Sequence, residues 1–198
     1  MKLGRPSPGS PLLMLVTCAA LLASGHLAGA TPDEPAGARP SPYRLPWPEG
    51  VSRLCIQGNQ GIVSHKGRGR YSFDFVMPVG APVCAARAGL VVTVEVSHAG
   101  RGNRAPNNKI GVRHDDGTLA WYLHLKQGGA RVRVGESVRQ GQVIAASGNV
   151  GRSLLPHLHF HVSDGAGATL PIRFSDVDRD GGLPRMLRRY RSGNAPSP

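Results

Sequence analysis

Glycine and proline interrupt this chain so often that few stretches are long enough to form an extended helix. There are 27 glycines and 17 prolines among 198 residues. The runs between them are short and rich in β-branched, aromatic and other apolar residues, and no long amphipathic helix or internal repeat is visible. The pattern predicts a mainly β protein with few or no helices, with strands over residues 71–76, 90–96, 109–113, 118–125, 137–145 and 157–162.

The first thirty residues have the features of a signal peptide. Lys2 and Arg5 form a basic start, residues 12–22 are apolar, and Ala28-Gly29-Ala30 is a cleavage sequence. The apolar run is about half the ~20 residues that a membrane span needs, so we expect no transmembrane segment after cleavage. Cys18 lies within that run after Thr17, which argues against lipid attachment there. The sequence thus predicts export to the periplasm or the extracellular space.

The rest of the chain divides by composition into three parts. Residues 31–50 contain six prolines and are predicted to be a linker. The folded domain is predicted over residues 51–175. Residues 176–198 are rich in arginine and end in small polar residues and proline, which indicates a basic, partly ordered tail. We expect a monomer.

The chain is strongly basic, with a formal charge of +12 that falls to +10 when Lys2 and Arg5 leave with the signal peptide. This charge favours association with anionic polymers of the cell envelope. No nucleic-acid recognition motif accompanies it, so nucleic acid is not an expected partner.

Cys55 and Cys84 are the two cysteines that remain after removal of the signal peptide. An even pair in an oxidising compartment leads to the hypothesis of a disulfide between them. Two separate buried thiols are the alternative.

Three histidines alternate with apolar residues near the end of the predicted domain. In a strand, His157, His159 and His161 project from one face, and Leu158, Phe160 and Val162 project from the other. Imidazole is the commonest metal ligand and the usual acid–base group near neutral pH. A single histidine would be explained as a surface or core residue, but three in five positions indicate a chemical face.

Two other predicted strands carry further polar groups. Asp74 lies between Phe73 and Phe75 on the opposite strand face, and a carboxylate beside so much apolar surface needs a cation or a metal ion. Alternation over residues 118–125 predicts an apolar face of Leu119, Trp121, Leu123 and Leu125, which leaves Tyr122 and His124 on the other side. The expectation is that His124 and Asp74 join the histidine row.

Three blocks of sequence resemble the lysostaphin-type zinc metallopeptidases. The first covers Ser64-His65-Lys66-Gly67 and then residues 71–91, which begin Tyr-Ser-Phe-Asp-Phe-Val. The second is Trp-Tyr-Leu-His-Leu at 121–125. The third is Gly-Asn-Val-Gly at 148–151 followed by Pro-His-Leu-His-Phe at 156–160. The resemblance spans residues 58–162 and implies a compact antiparallel β-sheet scaffold with an open groove.

The resemblance also implies the site chemistry. His65, Asp74 and His159 would be Zn²⁺ ligands, and His124 and His157 would be catalytic, acting on a peptide bond through a metal-bound water. The spacing of His157 and His159 alone does not decide which one holds the metal. His161 stands where the family often has an acidic residue, and we interpret it as a neighbour of the ligands or a solvated side chain. The spacing between His65 and Asp74 resembles a subgroup with a small insertion, so residues 66–70 are expected to bulge outward.

The sequence therefore predicts an exported zinc metalloendopeptidase that hydrolyses peptide cross-links or bridges of bacterial peptidoglycan. One alternative is a non-catalytic envelope regulator that activates a cell-wall amidase, although such regulators lack ligands that this chain retains. Another alternative is a secreted protease that acts on Gly-rich protein.

Overall fold

A computed structural model describes residues 42–196, and these residues form an almost entirely antiparallel β structure. The predicted signal peptide, with Cys18, and most of the predicted linker lie outside the described residues. Within the described range there is no helix of sufficient length and apolarity to cross a membrane. The strands are β1 (Ser52–Gln57), β2 (Ser72–Val76), β3 (Pro82–Cys84), β4 (Gly89–Glu95), β5 (Lys109–Arg113), β6 (Leu119–Leu123), β7 (Leu125–Ala130), β8 (Ser137–Val138), β9 (Val143–Ser147), β10 (His157–Ser163) and β11 (Arg188–Arg191).

The strands form two sheets. The larger sheet has eight strands in the order β11-β1-β2-β10-β6-β5-β4-β8, and the smaller has the order β3-β9-β7. Two short 3₁₀ helices, Gly67–Gly69 and Asp180–Gly182, are the only helical segments in residues 42–196. The predicted mainly β fold with few helices is therefore confirmed.

The central strands β2 and β10 separate an apolar core from a polar face. Phe73 and Phe75 on β2 are fully buried, as are Leu158 and Phe160 on β10. They pack in one cluster with residues of both sheets, among them Ile144 of the smaller sheet. Alternation along each strand sends Asp74 and the three histidines of β10 to the other side. The core thus fixes the register that brings the polar groups together.

The predicted domain boundaries differ from the packing at both ends. Trp47 lies within the predicted linker but is completely buried, and its ring meets Phe75 edge-on with centroids 4.7 Å apart. The carboxylate of Asp176 accepts hydrogen bonds from the backbone amides of Leu45 and Gly193, at 3.0 and 2.9 Å. The predicted tail also contains β11, which pairs with β1. Composition hid these contacts because a few large side chains, rather than a periodic pattern, attach both segments to the domain.

Replacing Trp47 with alanine should lower the free energy of unfolding by about 3–5 kcal/mol, because it opens a large cavity in the core. The substitution also removes the hydrogen bond that the indole Nε1 donates to the carbonyl of Val51 at 2.8 Å. Urea unfolding followed by circular dichroism measures the change. Val134→Ala is the control, because Val134 is 60% exposed, and it should stay within about 0.5 kcal/mol of the parent. A Trp47 variant as stable as the parent would show that residues 42–50 do not belong to the domain.

The disulfide hypothesis is wrong for this structure. Cys55 and Cys84 are both free and buried. Cys55 lies on β1 of the larger sheet, where its thiol donates to the carbonyl of Gln57 at 3.4 Å, and Cys84 lies on β3 of the smaller sheet. Burial raises the pKa of each thiol to about 12, which makes both groups unreactive at neutral pH.

Candidate active site

The pairing of β2 with β10 places Asp74 directly opposite His159. Paired residues of antiparallel strands project from the same face, so the two side chains meet. The Nδ1 atom of His159 lies 2.8 Å from Oδ1 of Asp74, and Nε2 of His157 lies 3.8 Å from the same oxygen. Asp74 is therefore the centre of the polar face.

His65 reaches this centre from the connection between β1 and β2. Its Nε2 atom lies 3.2 Å from Oδ2 of Asp74, and its Nδ1 atom lies 2.8 Å from the carbonyl oxygen of Gly58. A carbonyl only accepts, so Nδ1 carries the proton and Nε2 presents a lone pair to the site. Residues 66–70, which follow, contain the first 3₁₀ helix and are mostly exposed, as expected of a bulge.

The three residues form a donor set that fits a metal ion. One ligand atom from each of His65, Asp74 and His159 lies within 4.8 Å of the others. Nε2 of His65 is buried and has no hydrogen-bond partner among the described residues, which is costly unless something else occupies its lone pair. Two imidazoles and one carboxylate form the kind of three-ligand set that holds catalytic zinc and leaves a fourth position open.

Asp74 is held as a carboxylate despite its burial. Burial alone would raise its pKa, but the close imidazoles of His159 and His65 lower that pKa far below its ordinary value. A buried anion of this kind favours a bound cation.

Gln57 anchors both Asp74 and the segment that carries His65, a role that sequence patterns did not reveal. Its Nε2 atom donates to Oδ2 of Asp74 at 2.9 Å and to the hydroxyl of Ser64 at 2.8 Å. Its Oε1 atom accepts from the backbone amides of Val63 and Ser64. One buried amide therefore fixes two of the three potential ligands.

His124 joins the site by a route that strand alternation did not predict. β6 ends at Leu123, and Tyr122 is fully buried opposite Phe160, so the predicted placement of Tyr122 on the polar face is wrong. Regular alternation would turn His124 toward the core with Tyr122. Its backbone instead adopts a left-handed conformation with φ of 63°, which re-aims the imidazole. The rings of His124 and His157 lie with centroids 4.5 Å apart.

The imidazole rings of His124 and His157 are held by the same kind of hydrogen bond. The Nδ1 atom of each lies 2.8 Å from a backbone carbonyl, Val150 for His124 and Leu155 for His157. Both rings therefore carry a proton on Nδ1, and the Nε2 atoms are left to exchange protons with other groups. Burial lowers both pKa values, and that of His124 falls to about 4, so its ring is neutral at pH 7.

His161 lies beside the potential ligands. Its Nδ1 atom is 3.1 Å from Nε2 of His159, and burial together with the charge of His159 lowers its pKa to about 3. Neutral His161 can accept a hydrogen bond from His159, which would leave Nδ1 of His159 directed at Asp74.

Proteins that are similar to this chain in sequence or in fold include two endopeptidases and a metalloprotease. Glycyl-glycine endopeptidase ALE-1 of Staphylococcus capitis is 42% identical over 95 residues, 48% of this chain and 24% of that protein. Peptidoglycan DD-endopeptidase ShyC of Vibrio cholerae is 36% identical over 99 residues, 50% of this chain and 20% of that protein. The chain thus matches a quarter or less of these relatives. The structure of the M23 metalloprotease pseudoalterin, from the deep sea, has a similar fold, with a TM-score of 0.52 and 19% identity over 76% of this chain and 95% of that one.

Five polar side chains on an antiparallel β scaffold, three of them a potential metal-binding set, define a metallopeptidase type of site. The model of Peptidase family M23 matches residues 68–171, more than half of the chain, and the chain belongs to this family of zinc metallopeptidases. The matched range contains Asp74, His124, His157 and His159, and His65 lies just before it. The resemblance noted in the sequence is thereby confirmed.

Proposed function

We propose that this chain is an exported zinc metalloendopeptidase that hydrolyses peptide cross-links or bridges of bacterial peptidoglycan. The observation that carries the proposal is the cluster of His65, Asp74 and His159, with two further imidazoles beside it that are held through Nδ1 by backbone carbonyls. The names of ALE-1 and ShyC support a peptidoglycan substrate. The predicted signal peptide supports export to the periplasm or the extracellular space, where that substrate is found.

His65, Asp74 and His159 would hold the zinc through Nε2, a carboxylate oxygen and Nδ1. Bound there, zinc supplies Lewis-acid polarisation of a carbonyl and acidifies a water molecule toward a pKa of about 7. Gln57 and the carbonyl of Gly58 keep Asp74 and His65 oriented for this task. Such neighbours typically contribute ~10–100-fold to metal affinity.

His124 and His157 carry out the proton transfers. Both are neutral with Nε2 unprotonated, so either can accept the proton of the attacking water. The imidazole that has taken up this proton can donate from Nε2–H to the negative charge that develops on the carbonyl oxygen, and it can then pass the proton to the leaving amine. Their Nδ1 hydrogen bonds to backbone carbonyls hold both rings in place through this cycle.

Incubating the mature protein with purified peptidoglycan tests the proposal. We expect soluble muropeptides with newly opened peptide bonds in the presence of stoichiometric zinc, and none after chelation. The released fragments are identified by mass spectrometry, which also shows which bond is cleaved. Unchanged peptidoglycan with zinc-loaded protein would contradict the proposal. Stimulation of an added amidase under those conditions would support a non-catalytic regulator, and cleavage of Gly-rich protein alone would support a secreted protease.

A further inference from the structure

Three of the loops that border the site carry positive charge and no acidic residue. Residues 58–71, 97–107 and 148–156 contain six lysines and arginines and not one aspartate or glutamate. All six side chains are exposed. We call this set the cationic rim: Lys66, Arg68, Arg70, Arg101, Arg104 and Arg152.

Two of the three loops are attached directly to the site, and the remaining one is attached through its neighbour. The first contains His65, one residue before Lys66. The third leads into His157, and its Val150 carbonyl holds His124. The second joins the third through two backbone hydrogen bonds, from Gly102 to the carbonyl of Gly151 at 3.0 Å and from Gly151 to the carbonyl of Gly100 at 3.1 Å. The charges of the rim therefore lie on the segments that a bound peptide would meet next to the histidines.

The rim charges have no acidic partner among residues 42–196, unlike several cations elsewhere. Arg87 pairs with Asp115 and Asp116, and Arg188 pairs with Asp180. At the rim, Arg101 donates to the carbonyl of Leu154 at 3.1 Å, and the other hydrogen bond of a rim side chain, from Arg68, also goes to a backbone carbonyl. Six unneutralised charges around one site attract an anionic molecule and repel a cationic one.

We infer that the cationic rim binds carboxylates of the substrate, and that this enzyme prefers acidic stem peptides over neutral bridges such as polyglycine. The inference rests on the proposed function and narrows its substrate class. The molecule to be cleaved in the proposed function is a peptide, and the negative charges of a peptide are carboxylates. The carboxylates of an acidic peptide would lie within a few residues of the bond at the site. Guanidinium groups, which make up five of the six charges, bind carboxylates through paired hydrogen bonds.

The test compares two fluorescent cross-linked stem peptides of identical sequence, one with free carboxylates and the other with those groups amidated. We expect the zinc-loaded parent protein to bind the acidic peptide ~10-fold more tightly at low salt, with the ratio shrinking as salt rises. The triple variant Lys66→Gln, Arg104→Gln, Arg152→Gln takes one charge from each loop and breaks no hydrogen bond seen in the structure. It should reduce the ratio to about 2 or less. Fluorescence anisotropy gives the affinities, and His157→Ala is added to every protein in this titration so that zinc is retained and the bound peptide is not cleaved.

The matched control removes three exposed charges far from the loops. Arg113 lies at the end of β5 remote from the site, Arg133 lies between β7 and β8, and Arg191 lies at the end of β11. The variant Arg113→Gln, Arg133→Gln, Arg191→Gln should keep the parent ratio. Equal affinity of the parent for both peptides would overturn the inference even if both are cleaved, which would leave the proposed function intact. The inference would also be overturned if both triple variants lowered the affinity ratio of the two peptides equally. It would be overturned as well if the rim variant lost binding to anionic lipid vesicles but kept the parent's ratio for the peptides.

Discussion

His159→Ala should abolish zinc binding, whereas His157→Ala should retain zinc and lose turnover. His159 places Nδ1 at 2.8 Å from Asp74, inside the donor set, and its removal leaves only two ligands. His157 lies further out, with Nε2 at 3.8 Å from Asp74, and its Nδ1 is committed to a backbone carbonyl. Loss of a general acid–base group typically lowers kcat by ~10²–10⁴-fold.

The measurements are zinc content after dialysis and the rate of cleavage of a cross-linked peptide. His98→Ala is the control for zinc content, because His98 is an imidazole outside the cluster. It should bind one equivalent, like the parent. Equal zinc loss in the His157 and His159 variants would show that the two roles are assigned wrongly within the pair.

Zinc should raise the stability of the folded protein substantially, and Asp74→Asn should remove that effect. The folded chain brings together ligands that the unfolded chain holds far apart, so binding energy adds to folding energy. At free zinc about a thousandfold above the dissociation constant, the gain is ~4 kcal/mol. For a domain of this size that gain raises the melting temperature by ~8–16 °C.

Thermal unfolding with and without zinc measures the gain. Asp74→Asn keeps the shape of the side chain but removes the charge that the two imidazoles surround, so its melting temperature should be the same in both conditions. Asp164→Asn is the matched control, because Asp164 is exposed and caps a turn, and it should show the full gain. A zinc-dependent rise in the Asp74 variant equal to that of the parent would place the metal elsewhere.

Local alternation was enough to predict the faces of β2 and β10. Phe73 and Phe75 alternate with Asp74, and Leu158 and Phe160 alternate with the histidines. The sequence of each strand alone therefore indicates which of its residues are buried. Because the apolar residues must share one core, the polar residues of two distant segments had to share the other face. Which histidine holds the metal came from family resemblance alone, and it stays a prediction.

Other features depend on single conformations or distant contacts that no periodic pattern encodes. The left-handed backbone of His124 reverses the direction of one side chain at the end of β6, and a strand pattern that contains Trp121 and Leu123 gives no sign of it. Gln57 acts through contacts with Asp74, seventeen residues away, and looks like any other polar residue in the sequence.

Composition misled at the edges of the domain for a related reason. Prolines around Trp47 and arginines around Tyr190 are typical of linkers and tails, but each of these two aromatic side chains is buried against the domain. The disulfide hypothesis counted two cysteines without knowing their positions, and Cys55 and Cys84 belong to different sheets. The composition of a segment and the number of cysteines do not show which distant residues lie together. Those long-range contacts determine both the domain edges and the positions of the two thiols.

The proposed function depends on His65, Asp74 and His159 together holding one zinc ion beside His124 and His157. The most direct measurement is an anomalous difference map from crystals of the zinc-loaded protein, recorded at the zinc absorption edge. We expect a single strong peak bounded by Nε2 of His65, a carboxylate oxygen of Asp74 and Nδ1 of His159. A peak at any other group of residues, or none at these three with zinc in stoichiometric amount, would contradict it.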